Sequence, residues 1–160
     1  MGFLSLACHH FRNLQDGEMD LAAPEVFLVG ENGQGKTNLL EAIYLLCYGG
    51  SFRTNADSVM IRHGEEAASV RGRFAVEGGL GHHITVRVER DGGKEIRVNE
   101  KPVRDRLQLI ENIPCILFSH QDLETITGPP EMRRRFFNQV LGLFDPLFLS
   151  LLRSYRRALR

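Results

Sequence analysis

Apolar and polar residues alternate along parts of the chain and gather into blocks elsewhere, and the two patterns predict different elements. Phe3, Leu4, Leu6 and Ala7 mark a first strand over Phe3 to Phe11, and Glu18 to Leu21 reads as a second strand pairing back on it. Pro24 then sets up an unbroken apolar run, Val26 to Val29, of the kind expected for a strand buried on both faces. A helical period follows, with Leu39, Leu40, Ile43, Leu46 and Cys47 on one face. Gly49-Gly50-Ser51-Phe52-Arg53-Thr54 is a turn-rich linker, and Ser58 to Ile61 a short extended piece. Strands are predicted at Ala68 to Val76 and His82 to Arg90. In the second, Ile84, Val86 and Val88 alternate with Thr85, Arg87 and Glu89, as in a half-buried antiparallel strand. Asp91-Gly92-Gly93 is a hairpin turn, from which Glu95 to Val98 returns with Ile96 and Val98 inward.

The second half is blockier. A short helix at about 103–110 precedes Pro114-Cys115-Ile116-Leu117-Phe118, a continuous apolar run that predicts a central buried strand. His120 to Thr127 is a polar loop. Gly128-Pro129-Pro130 starts a helix running to about Leu141, with Pro130 tolerated in its first turn. Asp145-Pro146 opens a last helix, capped by Asp145, whose stripe is Phe148, Leu151, Leu152, Tyr155 and Leu159. The fold class expected is α/β, with a mixed sheet and an antiparallel meander at residues 1–128 and the first helices of a second lobe at 129–160.

Composition changes this picture little. The 160 residues carry 20 Lys+Arg and 20 Asp+Glu, so total charge points to no partner class. Its distribution does: residues 131–160 hold seven Arg against Glu131 and Asp145, a net of +5 that leaves 1–130 at −5. Cys8, Cys47 and Cys115 form no C-x-x-C and read as reduced thiols, which excludes a disulfide or zinc framework. The adjacent pairs His9-His10 and His82-His83 lack the helical spacing of a metal site. No signal-peptide pattern and no membrane-length apolar run is present, so a cytoplasmic setting with no membrane association is expected.

The chemistry lies between the apolar run at 26–29 and the helix after it. Gly30 to Thr37 matches G-x-x-x-x-G-K-[ST] in full, in the strand–loop–helix context of a phosphate-binding loop. Gly30, Gly33 and Gly35 let the backbone approach an anion, and the loop amides, Glu31, Asn32 and Gln34 among them, join the helix N-terminus in cradling it. Lys36 is placed to reach the β- and γ-phosphates of a nucleoside triphosphate and the Thr37 hydroxyl to hold Mg²⁺. No Asn-Lys-x-Asp motif is present, which argues against a GTPase.

Four segments carry a more specific likeness: Phe11-Arg12-Asn13-Leu14, residues 30–44, Ser51-Phe52-Arg53-Thr54 with Ile61, and Phe118-Ser119 … Asp122-Leu123 … Gly128-Pro129-Pro130 … Arg133-Arg134-Arg135-Phe136-Phe137. Falling in register over the whole chain, they resemble the RecF family, SMC-like members of the ABC-type ATPases. The resemblance implies an ATPase head that forms an ATP-dependent homodimer, binds gapped double-stranded DNA and acts with RecR and RecO in recombinational repair. It implies that Arg12 lies beside the nucleotide phosphates with Asn32 to Asn38 wrapping them, and that Arg53 approaches nucleotide or DNA. Gln121 or Asp122 would reach toward Mg²⁺ and the attacking water, and Arg133, Arg134 and Arg135 toward DNA. His120-Gln121 stands where the family has Pro-Glu, and Asn138 where it has Asp. Walker B acids and a signature motif are absent, so the chain reads as an N-terminal portion that binds nucleotide and scarcely hydrolyses it. Two other readings stay open: a different P-loop NTPase or SMC-type head, and an interaction module stabilised by nucleotide without catalysis.

Overall fold

The computed structural model describes residues 2–76, 81–103, 107–118 and 124–159. The chain divides into two compact units, Met1–Leu109 and Ile110–Arg160. In the first, strands β1 (Gly2–His9), β2 (Gly17–Asp20), β3 (Ala67–Ala75), β4 (His82–Glu89), β5 (Lys94–Val98) and β6 (Lys101–Pro102) form one sheet in the order β2-β1-β3-β4-β5-β6. Every pairing is antiparallel. The predicted hairpin at Asp91–Gly93 closes β4 on β5, and a second tight turn, with Asn99 and Glu100 both at positive φ, closes β5 on β6.

Alternation sorts the sheet into a wet and a dry face. Leu6, Cys8, Ala68, Val70, Phe74, Ile84, Val86, Val88 and Ile96 are buried, while Arg71, Arg87 and Arg97 between them are exposed. Helix α1 (Lys36–Tyr48) packs on the dry face against β3 and β4, through a side that buries Leu39, Ala42, Leu45, Leu46 and Cys47. Gly72 sets how closely it approaches. A Cβ there would stand 2.6 Å from Leu46 Cδ1 and 2.9 Å from Phe3 Cε1. Gly72→Ala is therefore expected to overpack the core and cost about 1–3 kcal/mol in urea unfolding.

Five expectations need correction, one being the polar loop at His120 to Thr127, of which Glu124–Thr127 is a short helix. Val26–Val29 forms no strand, and Val26, Phe27 and Val29 are exposed. Pro114–Phe118 likewise forms no strand, with Ile116 and Phe118 exposed. A run apolar at every position suits a strand with neighbours on both sides and cover on both faces. Neither run meets such neighbours among the described residues. Val26 and Leu28 instead line an apolar groove with Phe3, Leu4, Leu40 and Ile43. The buried stripe of α1 is accordingly rotated from the expected one: Leu40 is exposed and Ile43 half-buried, while Ala42 and Leu45 turn inward. Asp57–Met60 is a 3-10 turn rather than an extended piece, after which Ile61 makes one bridge to Phe11.

Helix α2 (Leu107–Asn112) matches the short helix expected just before the second apolar run. The second unit contains α3 (Glu124–Thr127), α4 (Pro130–Phe144) and α5 (Pro146–Ala158). Pro130 stands in the first turn of α4, and Asp145 Oδ1 accepts the Leu147 N–H at 2.9 Å, capping α5. Gly142 lets α4 and α5 come together, since a Cβ there would meet Leu149 Cδ2 at 2.6 Å. Of the α5 stripe, Phe148 and Leu152 are half-buried while Leu151, Tyr155 and Leu159 are exposed. Among the described residues no helix is long and apolar enough to cross a membrane.

Candidate functional site: a glycine-rich loop on a buried carboxylate

The loop from Gly30 to Gly35 runs directly into α1. Gly33 (φ 83°) and Gly35 (φ 100°) occupy left-handed backbone conformations that a residue with a Cβ adopts only with strain. At Gly35 space forbids one as well, because a Cβ would meet Leu14 Cδ2 at 2.8 Å and Asn13 Oδ1 at 3.0 Å. Within the loop the Glu31 N–H donates to Gln34 Oε1 at 3.0 Å. No side chain caps the start of α1, and its first turn carries no acid. Its leading amide groups and the positive end of the helix dipole are thus available to an anion.

Lys36 lies back over this loop. Its Nζ donates to the carbonyl oxygens of Gly30 and Glu31, each at 2.7 Å. Thr37 is exposed in the first turn of α1, and Asn32 is exposed on the loop. Asn38 joins the loop to its flank, donating from Nδ2 to Asn13 Oδ1 at 2.7 Å, while Asn13 Nδ2 donates to the Gly33 carbonyl at 2.8 Å. One short segment after β1 therefore holds the loop from outside.

The residue beneath this arrangement is Glu41, one turn into α1 and fully buried. Arg12 grips it with two hydrogen bonds, Nε to Oε2 at 2.9 Å and Nη2 to Oε1 at 2.8 Å. The Ser51 hydroxyl donates to Glu41 Oε1 as well. Arg53 Nη1 stands 3.5 Å from Oε2 and donates to Asn38 Oδ1 at 2.7 Å. A carboxylate removed from water is sustained by such saturation with cationic donors. Sequence reasoning missed Glu41. The available signal was a charge spaced 12 residues before Arg53 on a helix whose neighbouring positions are apolar.

The structure thus brings Arg12, Asn38 and Arg53 together with the loop. Arg133 and Arg134 belong to the second unit, on α4. Arg133 Nη1 donates to the Gly128 carbonyl at 3.2 Å, and Arg134 Nη2 pairs with Glu131 Oε1 at 3.1 Å. The side chain of Arg135, and residues Gln121 and Asp122, lie outside the described residues. Cys8, Cys47 and Cys115 form no disulfide. Burial first, and the nearby Asp16 charge second, push the Cys8 thiol up to about 11, so it stays protonated at neutral pH.

Residues 5–146 match the AAA domain family. The chain is 42% identical over 146 residues to the DNA replication and repair protein RecF of Treponema pallidum, covering 91% of this chain and 41% of that protein. It is 38% identical over 159 residues to RecF of Chlamydia caviae, covering 99% and 43% respectively. The chain thus spans about two-fifths of the length of the curated relatives it matches. Among solved structures, that of the recombination mediator protein RecF with ATP, in the RecFOR pathway, aligns with a TM-score of 0.84 at 28% identity, over 98% of this chain and 42% of that one. An SMC ATPase structure aligns at a TM-score of 0.67 and 19% identity, over 88% and 99%, a likeness of fold. With its phosphate-loop geometry and an ABC/SMC-like head fold, the chain belongs to the AAA domain family, and RecF proteins are its homologues over most of its length.

Proposed function

We propose that this chain is the ATP-binding part of a RecF-type recombination mediator. The observation that carries this reading is the closed Gly30–Thr37 loop, with Lys36 Nζ laid over it and an uncapped helix start behind it. In this reading Lys36 exchanges its two loop carbonyls for β- and γ-phosphate oxygens. The backbone of residues 31–36 donates to the same phosphates, and Asn38 keeps the loop tied to Asn13. Thr37 suits Mg²⁺: a hydroxyl oxygen, exposed in the first helical turn, leaves room for the waters that this ion retains. When bound, Mg²⁺ neutralises phosphate charge. The RecF structure with ATP supports the choice of nucleotide.

Arg12 and Arg53 act through Glu41. Both guanidinium groups are anchored from below, so each is presented to the loop region in a fixed place. We extend the reading to ATP-dependent homodimerisation and binding of gapped double-stranded DNA, with RecR and RecO as partners in a cytoplasmic setting. Arg53, Arg133, Arg134 and Arg135 supply the DNA phosphate contacts. In this reading the ATPase lobe spans residues 1–128 and a helical lobe begins at 129–160, a functional boundary later in the chain than the division between the two compact units after Leu109. Hydrolysis is slow, and Gln121 and Asp122 are the candidates for positioning water.

Thermal unfolding with and without Mg-ATP tests the nucleotide site. A ligand that binds only the folded chain raises its stability by mass action, by about 2.7 kcal/mol at a hundredfold excess over Kd. For a chain of this size the melting temperature should rise by about 5–10 °C. An unchanged melting temperature at millimolar Mg-ATP overturns the assignment.

A further inference from the structure

His9 and His10 are adjacent in sequence, and in a continuing strand their rings would point to opposite faces. They do not. His9 ends β1 on the exposed side, and His10 leaves the strand with φ 52°, a left-handed turn that brings its ring round beside its neighbour. The ring centroids are 3.8 Å apart. Asp16, just before β2, faces both. Its Oδ1 accepts the His10 backbone N–H at 2.9 Å and Arg62 Nη2 at 2.6 Å, which fixes the carboxylate. Oδ2 is left 3.4 Å from His9 Nε2 and 3.5 Å from His10 Nε2. On the far side of the second ring, His10 Nδ1 is 3.3 Å from Glu65 Oε2.

We propose that His9 Nε2, His10 Nε2 and Asp16 Oδ2 form a site for a divalent transition-metal cation of the zinc class. Ligands about 2.0–2.2 Å from a tetrahedral Zn²⁺ lie about 3.3–3.6 Å from one another; both nitrogen–carboxylate separations fall in that interval, and the three atoms all lie within 4.8 Å of one another. Glu65 Oε2 stands 3.3 Å from His10 Nδ1, the ring nitrogen not facing Asp16. A carboxylate behind a ligating imidazole is the usual outer partner in such sites, orienting the ring and raising its basicity. Two imidazoles and one carboxylate select a borderline cation over Mg²⁺ or Ca²⁺, and leave a fourth position for water. Arg62, also bound to Asp16, opposes the cation and limits its affinity.

The competing state is a doubly protonated His10 held between Asp16 and Glu65. Titration of the metal-stripped, nucleotide-free 160-residue chain with Zn²⁺, and with Co²⁺ as a spectroscopic probe, separates the two. The proposal expects one saturable equivalent and tetrahedral Co²⁺ bands without thiolate charge transfer. It expects a loss of at least about tenfold in affinity for His9→Ala and Asp16→Asn, with Glu65→Gln weaker by up to about tenfold. His82→Ala should bind like the parent chain. His9 is exposed, so its variant reports binding even where Asp16→Asn, which also loses the Arg62 pair, folds poorly. No saturable Zn²⁺ binding, equal binding by His9→Ala, or a thiolate band from Co²⁺ overturns the site.

Discussion

Glu41→Ala is expected to destabilise the chain by about 3–5 kcal/mol, the usual scale for stripping one partner from a buried ion pair. The carboxylate itself contributes little net energy, because its dehydration offsets most of its attraction to Arg12. The loss comes from what remains. Arg12, only 16% exposed, would keep its charge with neither of its two acceptor oxygens, and the Ser51 hydroxyl would lose the same acceptor. Urea unfolding with an unchanged m-value measures the loss directly. Glu41→Gln is the sharper variant. It preserves volume but turns one acceptor into a donor aimed at donors, so it should recover less than half of the alanine loss. A loss below about 1 kcal/mol for either variant would mean that water reaches this carboxylate and that it does not organise the loop.

Lys36→Ala should separate nucleotide binding from folding. Its ammonium makes two hydrogen bonds, both to loop carbonyls at the solvent edge, so the nucleotide-free variant should unfold within about 1 kcal/mol of the parent chain. ATP affinity should fall far more. Two charge-assisted bonds to phosphate oxygens are worth at least about 3 kcal/mol, roughly 150-fold in Kd. Isothermal titration of both chains with Mg-ATP gives the ratio. Equal affinities would remove Lys36 from the site and the phosphate-loop reading with it.

Local chemistry was legible in the sequence where one short segment suffices to dictate it. Gly33 and Gly35 take the left-handed conformations that the motif requires, and the alternation in His82 to Arg90 gives a strand with its inward residues buried. What could not be read depends on partners distant in sequence. An apolar run states that a segment can be buried without stating by what, so Val26–Val29 and Pro114–Phe118 looked alike as central strands and neither forms one among the described residues. Glu41 is invisible for the converse reason. A lone acid on a helix reads as a solvent-facing charge, and its partners Arg12, Ser51 and Arg53 come from two separate loops. The contact between the His9 and His10 rings depends on a left-handed residue at the end of a strand, a local geometry that no spacing rule encodes.

The two margins of the sheet bear on how the first unit can meet another protein. On one side β2 offers four residues, all exposed, with Glu18 and Asp20 among them. On the other β6 is two residues long, and Pro102 has no N–H to give. Charge, brevity and proline are the means by which natural sheets refuse an additional strand. Among the described residues, neither margin offers a long, uncharged template for β-augmentation. A partner meeting the first unit at either of these described edges would therefore recognise side chains rather than continue the backbone ladder, and its specificity would be open to tuning by single substitutions.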